Sequence, residues 1–227
     1  MQEPNQCLLT VGEWTAVASA IITGLAVLVA LFRESVFLWW RRPRFEVAIR
    51  PEPPDCNKTH VRLSAGIVSA YYFRLWVKNI GRSTATRVQV FAAQLHRQHA
   101  DGAFRREQRF LPMNLLWSHT SVVFSDGLAP QMGQHCELGI VFPLNVTDPM
   151  IIRPAQLPPG KTHLQLETEV RPFTGSSSLE PGNYRLRLLV AASNAKPRPF
   201  SLAISVVGDW YDDEAEMFSK GVGVKVE

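Results

Sequence analysis

The most reactive side chains in this sequence belong to two short segments that contain cysteine and histidine. Cys56 and His60 are separated by three residues, and His135 is followed directly by Cys136. Thiolate and imidazole groups suit zinc, so these residues could hold one ion if the two segments meet. Cys136, however, alternates with Leu138, as in a strand that buries every second side chain. We predict that the side chain of Cys136 is buried, that His135 points outward, and that the protein holds no metal and no cofactor. As an alternative, Cys56, His60 and Cys136 remain candidate metal ligands.

Two charged clusters are further candidates. An acidic run near the C-terminus lies beside aromatic residues and comprises Asp212, Asp213, Glu214 and Glu216. Carboxylates do acid–base chemistry only where a shared cleft shifts their pKa, so we interpret this run as a short helical segment docked through its aromatic neighbours. A basic cluster is interpreted as the solvated part of an exposed loop or long hairpin, and it comprises His96, His99, Arg105, Arg106 and Arg109.

No catalytic motif accompanies these residues. The patterns G-x-x-x-x-G-K-[ST], G-x-G-x-x-G and H-E-x-x-H are all missing from the sequence. The cysteines, Cys7, Cys56 and Cys136, are too few and too scattered for a disulfide framework, which favours a reducing compartment. We therefore predict a protein that is not an enzyme.

An uncharged stretch of 18 residues, Thr15–Phe32, lies near the start of the chain. At about 1.5 Å per residue it covers most of a hydrocarbon core about 30 Å thick. Its polar side chains can bond to the backbone of their own helix: Thr15, Ser19 and Thr23. Because apolar residues resume after Glu34, we predict a transmembrane helix with an interfacial extension over 14–40, preceded by a short segment, 1–13.

The residues that flank this helix predict its orientation and its anchors. No Lys or Arg precedes Arg33, whereas several arginines follow the helix. Basic residues beside a span are retained in the cytoplasm, so we predict an N-terminus outside and a cytoplasmic C-terminal domain. Aromatic rings at the two interfaces and the arginines behind them are the predicted membrane anchors: Trp14, Trp39, Trp40, Arg41, Arg42 and Arg44.

Two alternatives to a membrane span stay open. A buried core helix seldom runs this far without a polar face. A cleaved signal peptide needs a basic start, which 1–32 lacks, and Ala18-Ser19-Ala20 lies too early in the apolar stretch to be its cleavage site.

The charge balance follows the membrane topology. The net charge is +4, and the two charges before Arg33 are both negative, so the rest of the chain carries +6. Much of this excess lies directly behind the helix, which argues against nucleic acid as a partner. The predicted partners are the lipid bilayer and an unidentified protein.

Short alternating segments dominate the remainder of the chain. The clearest strand is Tyr71–Asn79, which a turn connects to a return strand over 85–95, and we predict that these two form an antiparallel pair. Further strands are predicted at 45–49, 136–142, 164–170, 184–190, 200–206 and 222–226, with loops at 55–69 and 143–162. This pattern predicts a mainly β fold, an antiparallel β-sandwich over 44–207, and an acidic, aromatic segment over 208–227 docked on it.

Two stretches carry a family resemblance. Leu75–Val90 resembles the V-x-N-x-G-x-x-x-A-x-x-V-x-V strand pair of bacterial immunoglobulin-like modules such as the CARDB group, and Pro181-Gly182-Asn183-Tyr184 resembles their P-G-x-Y strand entry. The chain is also similar to prokaryotic single-span membrane proteins with a β domain. The resemblance implies an immunoglobulin-like sandwich, a fold used for many functions. CARDB-type modules are usually extracellular, whereas the arginines behind the helix predict a cytoplasmic domain. We base the predicted orientation on these arginines.

These observations predict a membrane-anchored, non-enzymatic interaction module. Two alternatives stay open: a membrane-bound metal-dependent enzyme that uses the cysteine and histidine residues, and an extracytoplasmic adhesion-type module.

Overall fold

A computed structural model describes residues 11–64, 66–154 and 156–227, without the side chains of 11, 13 and 34–40. The predicted segment 1–13 therefore lies almost wholly outside the described residues. The chain divides into two units, Met1–Arg42 and Pro43–Glu227.

The first unit contains one long helix, α1 (Val11–Arg41). Its bounds confirm the predicted helix, including the continuation past Arg33 and Glu34. Thr15 and Thr23 donate their hydroxyl hydrogens to the carbonyls of Gly12 and Ser19, at 2.8 Å in each case. These bonds satisfy two polar side chains in the apolar part of the helix.

The second unit is built from strands. In the described residues they are β1 (Phe45–Ala48), β2 (Cys56–Leu63), β3 (Gly66–Asn79), β4 (Ala85–Gln98), β5 (Phe104–Arg106), β6 (Met113–Asn114), β7 (Ser125–Leu128), β8 (Gly133–Val141), β9 (Leu164–Leu166), β10 (Ser178–Leu179), β11 (Gly182–Ala192), β12 (Ala195–Val206) and β13 (Val222–Val226). A short helix, α2 (Glu214–Glu216), and a π-helical turn, Met217–Gly221, precede β13.

These strands form two antiparallel sheets. The first has the order β1-β3-β8-β9-β10, with β2 beside the N-terminal half of β3 and β1 beside its C-terminal half. The second has the order β13-β12-β11-β4-β5, with β6 and β7 also along β4. The sheets pack as a sandwich, which confirms the mainly β fold predicted from the alternating segments.

The core lies between the inner faces of the two sheets. Alternate side chains of β3 and β11 are buried there, among them Tyr71, Phe73, Leu75, Leu186 and Leu188. The same side chains were predicted to share one face of their strand, because the period of a strand is two residues. This part of the prediction is confirmed.

The predicted pairing of β3 with β4 is wrong. These strands belong to different sheets, and the connection 80–84 carries the chain across the sandwich. The buried side chain of Asn79 holds this crossing: its Oδ1 accepts from the N–H of Gly81 at 2.9 Å, and its Nδ2 donates to the carbonyls of Ser83 at 2.8 Å and Leu128 at 2.9 Å. Leu128 lies on β7, so this amide ties one sheet to the other.

The predicted loop at 55–69 is also wrong, because β2 and the start of β3 form a hairpin there. In β2 the two end residues, Cys56 and Leu63, are buried, and the side chains between them are exposed or half-buried. An edge strand of this kind is held by its backbone hydrogen bonds and needs no alternating apolar residues.

Candidate functional site

The predicted membrane anchors have only partly described positions. Trp14 is an exposed residue of α1, and Arg41 and Arg42 are exposed at its end. Trp39 and Trp40 lie within α1, but their side chains are outside the described residues. Arg44 is exposed and is the second residue of the second unit, where its N–H donates to Asn79 Oδ1 at 3.3 Å.

The alternative metal ligands do not meet. Cys56 lies opposite Phe73 of β3, Cys136 lies opposite Leu75, and both thiols are in the sandwich core. His60 is four residues further along β2 and exposed, about 13 Å from Cys56 at the usual rise of a strand. Within the described part of the chain, no three His, Cys, Asp or Glu residues are placed to hold a metal.

The thiols are also poorly suited to nucleophilic chemistry. Burial raises the pKa of Cys56 to about 12, and the nearby carboxylate of Asp55 adds to this shift. Burial likewise raises the pKa of Cys136 well above its usual value. Both groups are protonated at neutral pH, and the thiolate is the reactive form.

His135 points away from the core, as predicted, and pairs with a buried carboxylate. Its Nε2 lies 2.9 Å from Asp55 Oδ1, and Asp55 is 1% exposed. Asp55 Oδ2 also accepts from the backbone N–H of Arg50 at 2.9 Å. The centroids of the Trp76 and His135 rings are 4.7 Å apart. This pair holds the residues that precede β2 in place. Within the described residues, no serine or cysteine side chain is hydrogen-bonded to His135.

The acidic run packs against the β2–β3 hairpin. Tyr71 donates its hydroxyl hydrogen to the carbonyls of Tyr211 at 2.8 Å and Asp212 at 2.9 Å. Lys58 Nζ donates to the carbonyl of Asp212 at 2.7 Å. Asp213 caps α2 by accepting from the N–H of Glu216 at 2.9 Å. Hydrogen bonds from the Trp210 indole and from Lys58 lower the pKa of Asp212. These carboxylates therefore have structural partners.

The basic cluster lies on the hairpin of β4 and β5, as predicted for a long hairpin. Arg105 pairs with Asp101 across the turn, and Arg106 and Arg109 are exposed. The backbone N–H of His99 donates to the carbonyl of Ala103 at 3.0 Å, within the turn of this hairpin.

An open groove of about 1000 Å³ lies on the second unit, at the end of β13. Residues of β1, β4, β11, β12 and β13 line it, and we call it the arginine groove. Its basic residues are Arg185, Arg187 and Arg198. Its apolar residues include Phe45, Val47, Ile80, Phe200 and Val226.

Strand register places the arginines of β11. Tyr184, Leu186 and Leu188 are buried, so Arg185 and Arg187 lie on the outer face of the second sheet. Arg185 is opposite His96 of β4, and Arg187 is opposite Gln94 on one side and Ser201 on the other. The outer face is thus lined by cationic and hydrogen-bonding side chains at this point.

Each arginine of the groove has a different environment. Arg185 Nε lies 3.3 Å from Glu227 Oε1, and its Cζ lies 4.4 Å from the Phe104 ring centroid. Arg198 Cζ lies 5.8 Å from the Phe200 ring centroid. Arg187 is exposed and has no ion pair within the described ranges. At least one guanidinium therefore remains available to an anion.

The edge of β12 in the groove is closed to another strand. Ser201 accepts a hydrogen bond from the Glu227 N–H at 2.9 Å, so Ser201 directs its backbone groups toward β13. Pro199, two residues earlier, faces the same side and offers a carbonyl but no N–H, so a strand placed there would lack half of its usual ladder bonds. Side chains must therefore supply most of the contacts to a ligand in the groove.

The arginines of the groove are not among the predicted site residues. Alternation with Tyr184 and Leu186 already places Arg185 and Arg187 on a solvent face, and this was the available signal. Their position beside Arg198 and Phe45 depends on strand register and on packing between segments more than 100 residues apart.

No protein family matches this chain, and the comparisons with curated proteins and with solved structures also give no match.

Proposed function

We propose that this chain is a single-span membrane protein whose cytoplasmic sandwich is a binding module without catalytic activity. The observation that carries the proposal is the apolar stretch Trp14–Arg33 of α1, of which no part is buried by the protein itself. Twenty such residues exposed to water are unfavourable, at about 25 cal/mol for each Å² of apolar surface, whereas lipid solvates them.

The flanking charges support the orientation. No basic residue precedes Arg33, and Arg41, Arg42 and Arg44 follow within a few residues of the helix end. Basic residues are retained on the cytoplasmic side during insertion. The proposal therefore places the residues before the helix outside and the sandwich inside.

The binding role rests on the arginine groove. It is an open surface with cationic side chains, whereas the thiols are buried and the carboxylates of the acidic run have structural partners. We also propose that the sandwich belongs to the immunoglobulin-like class, because Asn79 and Gly81, two residues of the motif resemblance, form the hydrogen bond at the crossing between the sheets. This fold is used for many functions, so the binding role depends on the groove and not on the fold class.

Two thiols on opposite sides of the helix test the topology. Cys56 is 2% exposed and unsuitable as a label, so the full chain keeps Cys7 and receives Phe173→Cys at a fully exposed position. In sealed cells, a membrane-impermeant maleimide is expected to label Cys7 and to reach the introduced thiol only after lysis. Labelling of the introduced thiol in intact cells would instead support an extracytoplasmic module.

Membrane insertion is tested separately. The full chain is expected to stay in the membrane pellet after an alkaline carbonate wash and to leave it only with detergent. Recovery in the aqueous fraction would contradict the proposed span.

A further inference from the structure

We infer that the arginine groove binds an extended acidic segment of a partner protein, in which apolar and acidic residues alternate. This inference rests on the proposed binding function and gives the chemistry of the partner.

The groove already holds one peptide carboxylate. Glu227 follows β13 and directs its side chain to the outer face of the second sheet. Its Oε1 lies 3.3 Å from Arg185 Nε, and its Oε2 accepts from the Ser201 hydroxyl at 3.2 Å. A glutamate presented by an extended backbone is therefore compatible with the groove.

The remaining charges favour a further anion. Three arginines line the groove, against two carboxylates, Glu46 and Glu227. Arg187 has no ion pair in the part of the chain that the structure describes. Arg198 lies opposite Val190, on the other face of the sheet from Arg187, and its Cζ is 5.8 Å from the Phe200 ring centroid. Guanidinium groups match carboxylates in two-point geometry, and contact with a ring orders them in advance.

The apolar side of the groove sets the pattern of the segment. The side chain of Val226 packs against the core, whereas the side chain of the next residue, Glu227, lies on the outer face of the second sheet. Side chains of an extended chain alternate in this way. Ile80, which is 39% exposed, and the half-buried Phe200 offer further apolar contacts, whereas Phe45 and Val47 line the groove but are themselves buried. A groove with apolar residues beside arginines suits inserted side chains better than a plane of lipid headgroups.

A synthetic peptide tests this inference on the full chain. The probe is a fluorescein-labelled, amidated peptide with three Val-Glu repeats, and the control peptide carries Gln in place of Glu. The receptor is the full-length protein in phosphatidylcholine nanodiscs, and binding is followed by fluorescence anisotropy. We expect saturable binding of the acidic peptide that weakens as salt concentration rises.

Paired variants locate the site. Arg187→Gln with Arg198→Gln is expected to weaken peptide binding about tenfold, since two exposed positive charges of the groove are lost. Arg62→Gln with Arg109→Gln removes the same charge at exposed sites outside the groove and is expected to have no effect. Glu227→Gln frees Arg185 of its own carboxylate and is expected to strengthen binding. All variants should unfold within about 2 °C of the wild-type protein.

Three results would overturn the inference: equal binding of the control peptide, equal losses in the groove and control variants, or no binding of the acidic peptide. A further arm adds phosphatidylserine vesicles as competitor. Displacement of the peptide that requires Arg187 and Arg198 would assign the groove to lipid headgroups and also overturn it. The maleimide labelling does not involve the groove, so failure of the proposed topology is observed independently.

Discussion

Asn79 shows how one buried side chain determines the path of the chain. The residue is 0% exposed, and its amide bonds to the backbones of Arg44, Gly81, Ser83 and Leu128. These groups belong to Leu128 of the second sheet, to the connection that follows β3, and to Arg44 just before β1. Buried polar groups are costly when they lose their partners, so this amide is a large contributor to stability.

Asn79→Ala is expected to lower the free energy of unfolding by about 2–4 kcal/mol, because several buried backbone groups lose their partner. Asn194→Ala is the matched control: its side chain bonds to Thr84 and Thr86 but is exposed, so water replaces it and the expected loss is below about 1 kcal/mol. Urea denaturation followed by tryptophan fluorescence measures both. Equal losses would contradict the role of Asn79.

His163, just before β9, couples the stability of the sandwich to pH. Burial, with a further contribution from the Arg153 charge, lowers the pKa of His163 from 6.5 to about 4. Its Nε2 has no hydrogen-bond partner in the described residues. The folded state therefore binds this proton less readily than the unfolded state. The contribution of neutral His163 is complete above pH 6.5 and is lost as the pH falls toward 4.

His163→Leu removes this titration. Between pH 7 and pH 4 the free energy of unfolding of the wild-type protein is expected to fall relative to that of the variant, by at most about 3 kcal/mol. Urea denaturation at a series of pH values gives the difference. A difference that stays constant over this range would show that His163 does not titrate on unfolding.

At the scale of elements, the segment after β12 completes the core. Phe218 of the π-helical turn lies edge-on to Tyr71 at 5.5 Å and to Phe73 at 5.6 Å between ring centroids. The turn then leads into β13, which pairs with β12 and extends the second sheet. Packing of this turn on β3 therefore links a terminal segment to the opposite sheet.

Phe218→Ala is expected to destabilise the sandwich by about 3–5 kcal/mol, since it removes two aromatic contacts and leaves a cavity. Phe173→Ala is the matched control, because the Phe173 side chain is fully exposed, and a change within about 0.5 kcal/mol is expected. Thermal unfolding compares the two variants. Similar melting temperatures would show that the terminal segment is not part of the cooperative core.

At the scale of the whole molecule, the two units differ in how their apolar side chains are covered. The described side chains of α1 from Trp14 to Arg33 are all exposed. The core residues of the second unit all follow Pro43 in sequence. The sandwich therefore has a complete hydrophobic core of its own, and the helix has none.

A chain that begins at Pro43 is expected to be soluble without detergent and to unfold cooperatively, since it retains every core residue. Size-exclusion chromatography and calorimetry measure these properties. A chain shortened at the other end, after Val207, loses Phe218 and β13 and is expected to aggregate. Aggregation of the chain that begins at Pro43 would show that α1 is needed for folding.

The length of Thr15–Phe32 without a charge was enough to predict α1. The period of the apolar residues was enough to predict β3, β11, β12 and β13, because each buries one face in the core. It was also enough to place Cys136 inward and His135 outward. β2 was not predicted because its side chains do not alternate between apolar and polar. It is an edge strand that backbone hydrogen bonds hold to β3.

Only the tertiary structure decided which strands are neighbours. Alternating apolar residues indicate that one face of a strand is buried, but they do not indicate which other strand pairs with it. The turn after Asn79 was therefore equally compatible with a hairpin and with a crossing between sheets. The arginine groove depends on the same information, since Phe45, Arg185 and Arg198 meet through register and packing. Local sequence determines burial, whereas contacts between distant segments determine topology and the site.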